Sequence, residues 1–324
     1  MKKTAIAPSN IAFTKYWGRR DEKLRLPANS NISMNLSNLH TTTTVEFNEA
    51  FIQDDIVIDK IKTSQVIKKV SEHLDRIRKQ AGIAAYAKVR SINNFSVSTG
   101  LSSSASGFAA LTLASATAAD LTLSEKELSI LARIGSGSAC RSIPDGFVQW
   151  HEGSSESSYA KSIFPSDYWD IVDIVVVVSE DKKTVSTTEG HRLAWTSPFF
   201  ADRVIGMKKK NELCNKYIKE RNYHAFGNLI ESEALEMHAI MLTSSPSLLY
   251  WHPATIALMR KIMDWRKNGM ECYFTINTGQ NIHVICEGNK AAMVEKELKK
   301  QKEVKKTIVN HPSQGASLTE AHLF

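Results

Sequence analysis

The sequence reads as a mixed helix-and-strand protein in two lobes. Three observations carry this expectation. The 324 residues suffice for two moderate cores. Strand-like and helix-like patterns interleave in the first half. Near residue 180 the pattern shifts to helices, which suggests a division into 1–180 and 181–324, although no Pro/Gly linker marks it.

Taken in order, residues 42–48 (TTTVEFN) and 86–92 (YAKVRSI) have the β-branched or alternating character of strands. Between them, Val66, Ile67, Val70, Leu74 and Ile77 recur at helical spacing and predict an amphipathic helix over 64–81. A serine-rich turn at 102–106 leads into small residues over 105–119 that suit a helix. Leu123 and Ser124, followed by Glu125 and Glu127, predict another over 123–134. The valine run in 171–179 predicts a strand covered on both faces. Helices follow at 197–220, 223–241 and 252–268, then strands at 271–276 and 281–286 and a helix at 289–300.

With 42% hydrophobic and 23% charged residues, the composition is that of a soluble protein. No apolar run approaches the roughly 18 residues of a membrane span, and the start MKKTAIAPSN does not read as a secretory signal. Cys140, Cys214, Cys272 and Cys286 lie far apart without a C-x-x-C pair. Reduced thiols and a cytoplasmic location are therefore expected, and neither zinc nor another metal site. The net charge of +7 suits a nucleic acid or a small anionic ligand. The basic runs Lys208-Lys209-Lys210 and Lys299-Lys300 to Lys306 lack interleaved aromatics, so they read as solvated helix faces and nucleic-acid binding is not expected.

Thr99-Gly100-Leu101-Ser102-Ser103-Ser104-Ala105-Ser106-Gly107 places a glycine and several hydroxyls where a helix begins. Free backbone N–H groups there can cradle phosphate, or the serines can simply cap the helix. The Walker spacing is absent.

Three segments taken together resemble the diphosphomevalonate decarboxylase family, within the galactokinase and mevalonate kinase superfamily. They are Ala7-Pro8-Ser9-Asn10-Ile11-Ala12-Phe13-Thr14-Lys15-Tyr16-Trp17-Gly18-Arg19-Arg20-Asp21-Glu22 continuing to Leu26–Ser33, the serine run above, and Gly135-Ser136-Gly137-Ser138-Ala139-Cys140-Arg141-Ser142. Weaker likeness is found at Val185–Gly190 and Met237-His238-Ala239. The resemblance implies an α+β, two-lobed small-molecule-kinase fold, with a ribosomal-protein-S5-like N-terminal lobe and a ferredoxin-like C-terminal lobe. It also implies a homodimer and a small, anionic, phosphorylated substrate held in a cleft.

Members of the family phosphorylate a tertiary hydroxyl with ATP, then expel phosphate and CO2 to leave an alkene. Carried over by motif, Arg141 would hold the carboxylate through both guanidinium arms. Lys15 would stand near the reacting centre. Tyr16, Arg19, Ser138 and Thr187 would contact substrate, with Arg19 where the family usually has lysine. Ser102, Ser103, Ser104 and Ser106 would form the phosphate loop. Trp17 reads as packing.

One departure bears on mechanism. Where the family has an aspartate in a D-A-G-P-N-like segment, this chain has Asn277-Thr278-Gly279-Gln280-Asn281. An amide is no base near neutral pH, and a general base contributes about 10²–10⁴-fold. Asn277 also removes a repulsion of about 4 kcal/mol between an acid and a nearby phosphate. The expectation drawn from this is an ATP-independent decarboxylase resembling mevalonate 3,5-bisphosphate decarboxylase. It would yield isopentenyl phosphate, as in a variant archaeal pathway, and need no cofactor. The alternatives are an ATP- and magnesium-dependent phosphomevalonate or diphosphomevalonate decarboxylase with another base such as Asp145, a mevalonate 3-kinase, and a non-catalytic binding protein on the same fold.

Overall fold

A computed structural model describes residues 1–59, 63–95, 103–181 and 185–324. The first lobe contains β1 (Lys2–Ala12), β2 (Arg19–Asp21), β3 (Leu26–Pro27), β4 (Asn31–Asn48), β5 (Asp55–Ile58), α1 (Ser64–Ala81), β6 (Tyr86–Asn93), α2 (Ser103–Ala118), α3 (Glu125–Gly135), β7 (Phe147–Trp150) and β8 (Ala160–Phe164). The second contains β9 (Ile171–Val177), α4 (Thr187–Leu193), α5 (Phe200–Glu220), α6 (Tyr223–Leu242), α7 (Pro253–Lys267), β10 (Tyr273–Thr275), β11 (Ile282–Glu287), α8 (Ala291–Lys299), β12 (Lys306–Asn310) and finally β13 (Ser317–Thr319).

Among the described residues the first sheet runs β13-β1-β4-β6-β5, with β7 on β4 and β8 beyond it. The second runs β10-β11-β9-β12. Pairing thus changes sheets between Phe164 and Ile171, whereas composition suggested a division at 180. The chain later returns to the first sheet, where Thr4 pairs with Thr319.

Each layer follows from its residues. Val70, Leu74 and Ile77 of α1 pack with Val45, Val89, Leu111 and Ala114 on one face of the first sheet. Only small side chains let α2 lie so close: ten of its sixteen residues are buried, nearly all Ala, Ser or Thr. On the other side, Val172, Ile174 and Val176 of β9 pack with Leu258 and Ile262 of α7 and with Leu298 of α8. The intervening residues Ile171, Val175 and Val177 join Ile11, Ile32 and Phe147 of the first lobe in a shared core. That alternation explains the unbroken valine run. Phe13 and Phe226 meet edge to face at 4.8 Å within the shared core, so the lobes are joined beneath the cleft by apolar burial.

Lys208-Lys209-Lys210 lies on a helix as expected, whereas the second run leaves α8 at Lys299 and ends at Lys306 on β12, so only its start is a helix face. Lys210 pairs with Glu233 and Glu236, Lys299 with Glu295, and Lys300 with Glu297. The four cysteines are buried and free, and no described helix is long and apolar enough to cross a membrane.

Candidate active site

The cleft is built from polar residues held by the strands' own irregularities. The β1–β4 register shifts between Pro8 and Asn10, and such a bulge re-aims a side chain. Asn10 is thereby turned toward Arg141, which lies on the 3₁₀ turn Gly137–Ser142 after α3. Asn10 Oδ1 accepts from Arg141 Nη2 at 2.8 Å and from Nε at 3.2 Å, while Asn31 Oδ1 accepts from Nη1. Arg141 is 3% exposed, and among the described residues it pairs with no carboxylate. Burial lowers its pKa to about 10, so it stays charged at neutral pH. It is a buried cation on neutral supports, preorganised for an anion.

Lys15 is buried behind the end of β1. Its Nζ donates to the Ala12 carbonyl at 2.6 Å and to Asn277 Oδ1 at 3.4 Å. Burial is the main force lowering its pKa, with Glu233 opposing and Arg141 adding to the fall, and the result is about 7. Asn277 lies in the turn between β10 and β11, where its carbonyl meets His238 Nε2 at 3.0 Å. A carbonyl only accepts, so this nitrogen carries the proton. Burial lowers the pKa of His238 to about 3 and keeps it neutral, and its ring stacks on Trp251 at 4.8 Å.

Tyr16 Oη accepts from Arg19 Nε at 2.7 Å, and Arg19 Nη1 donates to Glu22 at 2.8 Å. The Tyr16 ring lies between Trp150 and His191, with centroids 4.6 and 4.2 Å away. Thr187 opens α4, its hydroxyl 3.1 Å from that of Thr278. Ser138 lies on the 3₁₀ turn beside Arg141. These residues line one cavity of about 90 Å³, together with Ser104, Arg25 and His191. Among the described residues its walls carry Lys15, Arg19, Arg25 and Arg141, and no carboxylate.

A second cavity of about 350 Å³ adjoins it, with apolar walls from Ile58, Val66, Val70, Val89, Phe108 and Leu111. Ser103, Ser104 and Gly107 at the start of α2 close one side. Ser104 borders both cavities.

The structure thus brings Lys15, Tyr16, Arg19, Ser138, Arg141, Thr187, Asn277 and Ser104 to one place, with Ser103 in the adjoining cavity. Ser106 departs from expectation. It is buried, accepting from Thr41 at 2.6 Å and donating to the Ser103 carbonyl at 3.3 Å, so it holds α2 against the sheet. Ser102 lies outside the described residues. Asp145 is exposed and accepts from Gly315 N–H at 2.6 Å; it does not line the cleft. Trp17 is buried in a core cluster, as expected.

Sequence reasoning missed the supports. Asn10 and Asn31 stood inside the quoted motifs, and their type alone gave no sign that they hold an arginine. Glu233 is a second omission. It accepts from Lys15 N–H at 3.0 Å and from Arg203 and Lys210 at 2.9–3.1 Å. Although burial raises its pKa, Arg203 and Lys210 outweigh that and hold it at about 2.

Comparison with known proteins agrees with this architecture. Residues 7–160 match the family described as diphosphomevalonate decarboxylase-like N-terminal domain, and residues 173–321 the mevalonate 5-diphosphate decarboxylase C-terminal domain. The diphosphomevalonate decarboxylase of Ganoderma lucidum is 35% identical over 83% of this chain and 72% of its own length. That of Candida albicans is 35% identical over 86% and 82%. Among solved structures, mevalonate diphosphate decarboxylase from Staphylococcus aureus superposes with a TM-score of 0.93 at 34% identity, covering 98% of each chain. A structure of MDDEF in complex with MVAPP, AMPPCP and magnesium gives 0.92 at 35% identity, covering 98% of this chain and 99% of that one.

These relatives correct the expectation of an ATP-independent decarboxylase of mevalonate 3,5-bisphosphate that needs no cofactor. They are named for the diphosphate substrate, and one was captured with a nucleotide analogue and magnesium. The physical reason for the misreading is local. Asn277 reports the loss of one acid and says nothing of the cavity of about 350 Å³ that lies beside α2.

Proposed function

The chain belongs to the diphosphomevalonate decarboxylase family, and from that membership we propose that it carries out ATP-dependent decarboxylation of a mevalonate diphosphate. The substrate's 3-hydroxyl takes the γ-phosphoryl group of ATP. Phosphate and CO2 then leave, and an alkene remains.

The observation that supports this reading best is the meeting of two unlike cavities at Ser104. The larger, apolar one suits a nucleoside. The smaller, cationic one suits a phosphorylated carboxylic acid. A phosphate chain running from one to the other would cross the N-terminus of α2, where unpaired N–H groups favour anions.

In the smaller cavity Arg141 grips the carboxylate with two parallel donors. Its carboxylate-free surroundings keep its full charge for the substrate. Lys15, Tyr16, Arg19, Ser138 and Thr187 surround the phosphate-bearing end. As the 3-phosphate departs, negative charge builds on it, and fixed cations nearby lower that barrier. A magnesium ion usually takes one or two carboxylates besides phosphate oxygens and water. Among the described residues the smaller cavity offers hydroxyls, cations, the Asn277 amide and the His191 ring but no carboxylate, so it does not make a magnesium site of its own.

Gly107 tests the assignment of the larger cavity, because it lines that cavity and a Cβ built there meets no atom of the described residues beyond its own helix turn within 4 Å. Gly107→Leu should raise KM for ATP at least tenfold and leave KM for the mevalonate diphosphate nearly unchanged. An unaltered KM for ATP would place the nucleotide elsewhere.

A further inference from the structure

Phosphorylating a tertiary alcohol requires a group to take its proton, and among the described residues no carboxylate lines the cavity where that alcohol would lie. Among the described residues, Glu233, Asp173 and Glu22 near this cavity each already have a hydrogen-bond partner. Glu233 on α6 is held by Arg203 of α5, by Lys210 and by the Lys15 N–H. Asp173 on β9 accepts from His283 Nδ1 at 2.8 Å, and Glu22 meets Arg19 at 2.8 Å. His238 on α6 spends its one proton on the Asn277 carbonyl and is boxed by Trp251.

Lys15 is different. Among the described residues its Nζ has two partners, both neutral oxygens, the Ala12 carbonyl and Asn277 Oδ1. An unprotonated amine has two N–H bonds and one lone pair. Two donated hydrogen bonds use up the N–H groups and leave the lone pair unengaged on a residue that lines the cavity.

Building on the ATP-dependent reading above, we propose that Lys15 is the proton acceptor of the phosphorylation step. The substrate's O–H bond breaks and its proton passes to Lys15 Nζ. The freed oxygen bonds to the γ-phosphorus of ATP, and the bond from that phosphorus to ADP breaks, its electron pair leaving with ADP. In the second step the C1–C2 pair becomes the new double bond, CO2 is released, and the C3–O pair leaves with phosphate. Lys15, now an ammonium, faces that departing anion and then returns its proton to phosphate or solvent.

Two features make the amine available. Burial lowers its pKa to about 7, so that much of it is unprotonated near neutral pH. Arg141 across the cavity and Arg203 behind it lower that pKa further, against the opposing pull of Glu233 and Asp173. Arg19 and Arg25 add positive charge to the same cavity wall. An aspartate in place of Asn277 would form an ion pair with Lys15 and keep it protonated. The amide allows the neutral form.

The test measures ADP release and CO2 separately. Lys15→Met should lower ADP release about 100-fold or more, the worth of a general base. The variant should fold at least as well as the parent. A lysine whose pKa falls from 10.5 to about 7 on folding costs the fold stability as pH drops through that interval. Adding Asn277→Asp to Lys15→Met should recover ADP release at least tenfold, because a carboxylate then supplies the missing base, while CO2 release stays low for want of the cation. If the added aspartate leaves ADP release unchanged or lowers it, Lys15 acts only as a charge and the proposal is overturned. Small amines offered to Lys15→Ala give a second reading. Rescue that follows the free base as pH rises supports the proposal, and rescue that follows the ammonium form overturns it. Should the unaltered protein release no ADP with the mevalonate diphosphate, the ATP-dependent reading fails instead.

Discussion

Among the described residues Arg141 is held by two asparagines and by no acid. An aspartate in either place would neutralise it and compete with the substrate's carboxylate. Removing a buried arginine from water costs several kcal/mol, which the amide oxygens offset in part. The remainder is recovered when an anion binds. Geometry matters as much as charge, since a lysine presents a point charge instead of a fork. Arg141→Lys should therefore lower CO2 release about 100-fold, the scale of losing one preorganised donor. Single-turnover ADP release should fall much less. Equal losses in both steps would show that the guanidinium serves binding alone. The acid side of the pH profile belongs to Lys15: kcat/KM for ADP release should rise from pH 6 to 8 as the amine loses its proton, with a midpoint near 7.

At the level of elements, the 3₁₀ turn Gly137–Ser142 carries Ser138 and Arg141 and stands against Tyr16. A Cβ on Gly137 would fall 2.6–2.9 Å from the Tyr16 ring and hydroxyl. Gly137→Ala should displace Tyr16 and its partner Arg19, lowering kcat/KM at least tenfold with little change in the melting temperature. A variant as active as the parent would remove Tyr16 from the site. Elements with a single apolar stripe were legible, and so were the small-residue helix α2 and the doubly covered strand β9. α1 spans 64–81 as its spacing predicted, since one face meets the sheet and the other meets water. β4 was read only from 42, yet it begins at Asn31. Its first half alternates Asn31, Ser33 and Asn35 with Ile32, Met34 and Leu36, and both sets are buried. The polar set is turned toward partners such as Arg141 and the Pro144 carbonyl, so hydropathy could not mark it as a strand. Lys15, Tyr16, Arg19, Ser138, Arg141, Thr187 and Asn277, which line one cavity, were picked out through motif likeness. Their supports were not, because Glu233 lies more than 200 residues from Lys15 in the chain and nothing local announces the meeting.

Across the whole molecule, Glu233 ties the lobes together at the cleft. From α6 it reaches Lys15 of the first lobe and the cations of α5 at once. Breaking such a buried network from one side leaves charges uncompensated and costs about 3–5 kcal/mol. Glu233→Gln should lower the stability to unfolding by that order in chemical denaturation, and a loss under about 1 kcal/mol would mean that the shared apolar core alone joins the lobes. Under the proposed function the two cavities hold nucleotide and acid together. The most direct measurement incubates the purified protein with mevalonate 5-diphosphate, ATP and magnesium and follows ADP and CO2 in the same sample. The account predicts that they appear in equal amounts, and that neither appears when ATP is left out. CO2 released without ATP, or ADP formed with no CO2 to match it, would contradict it.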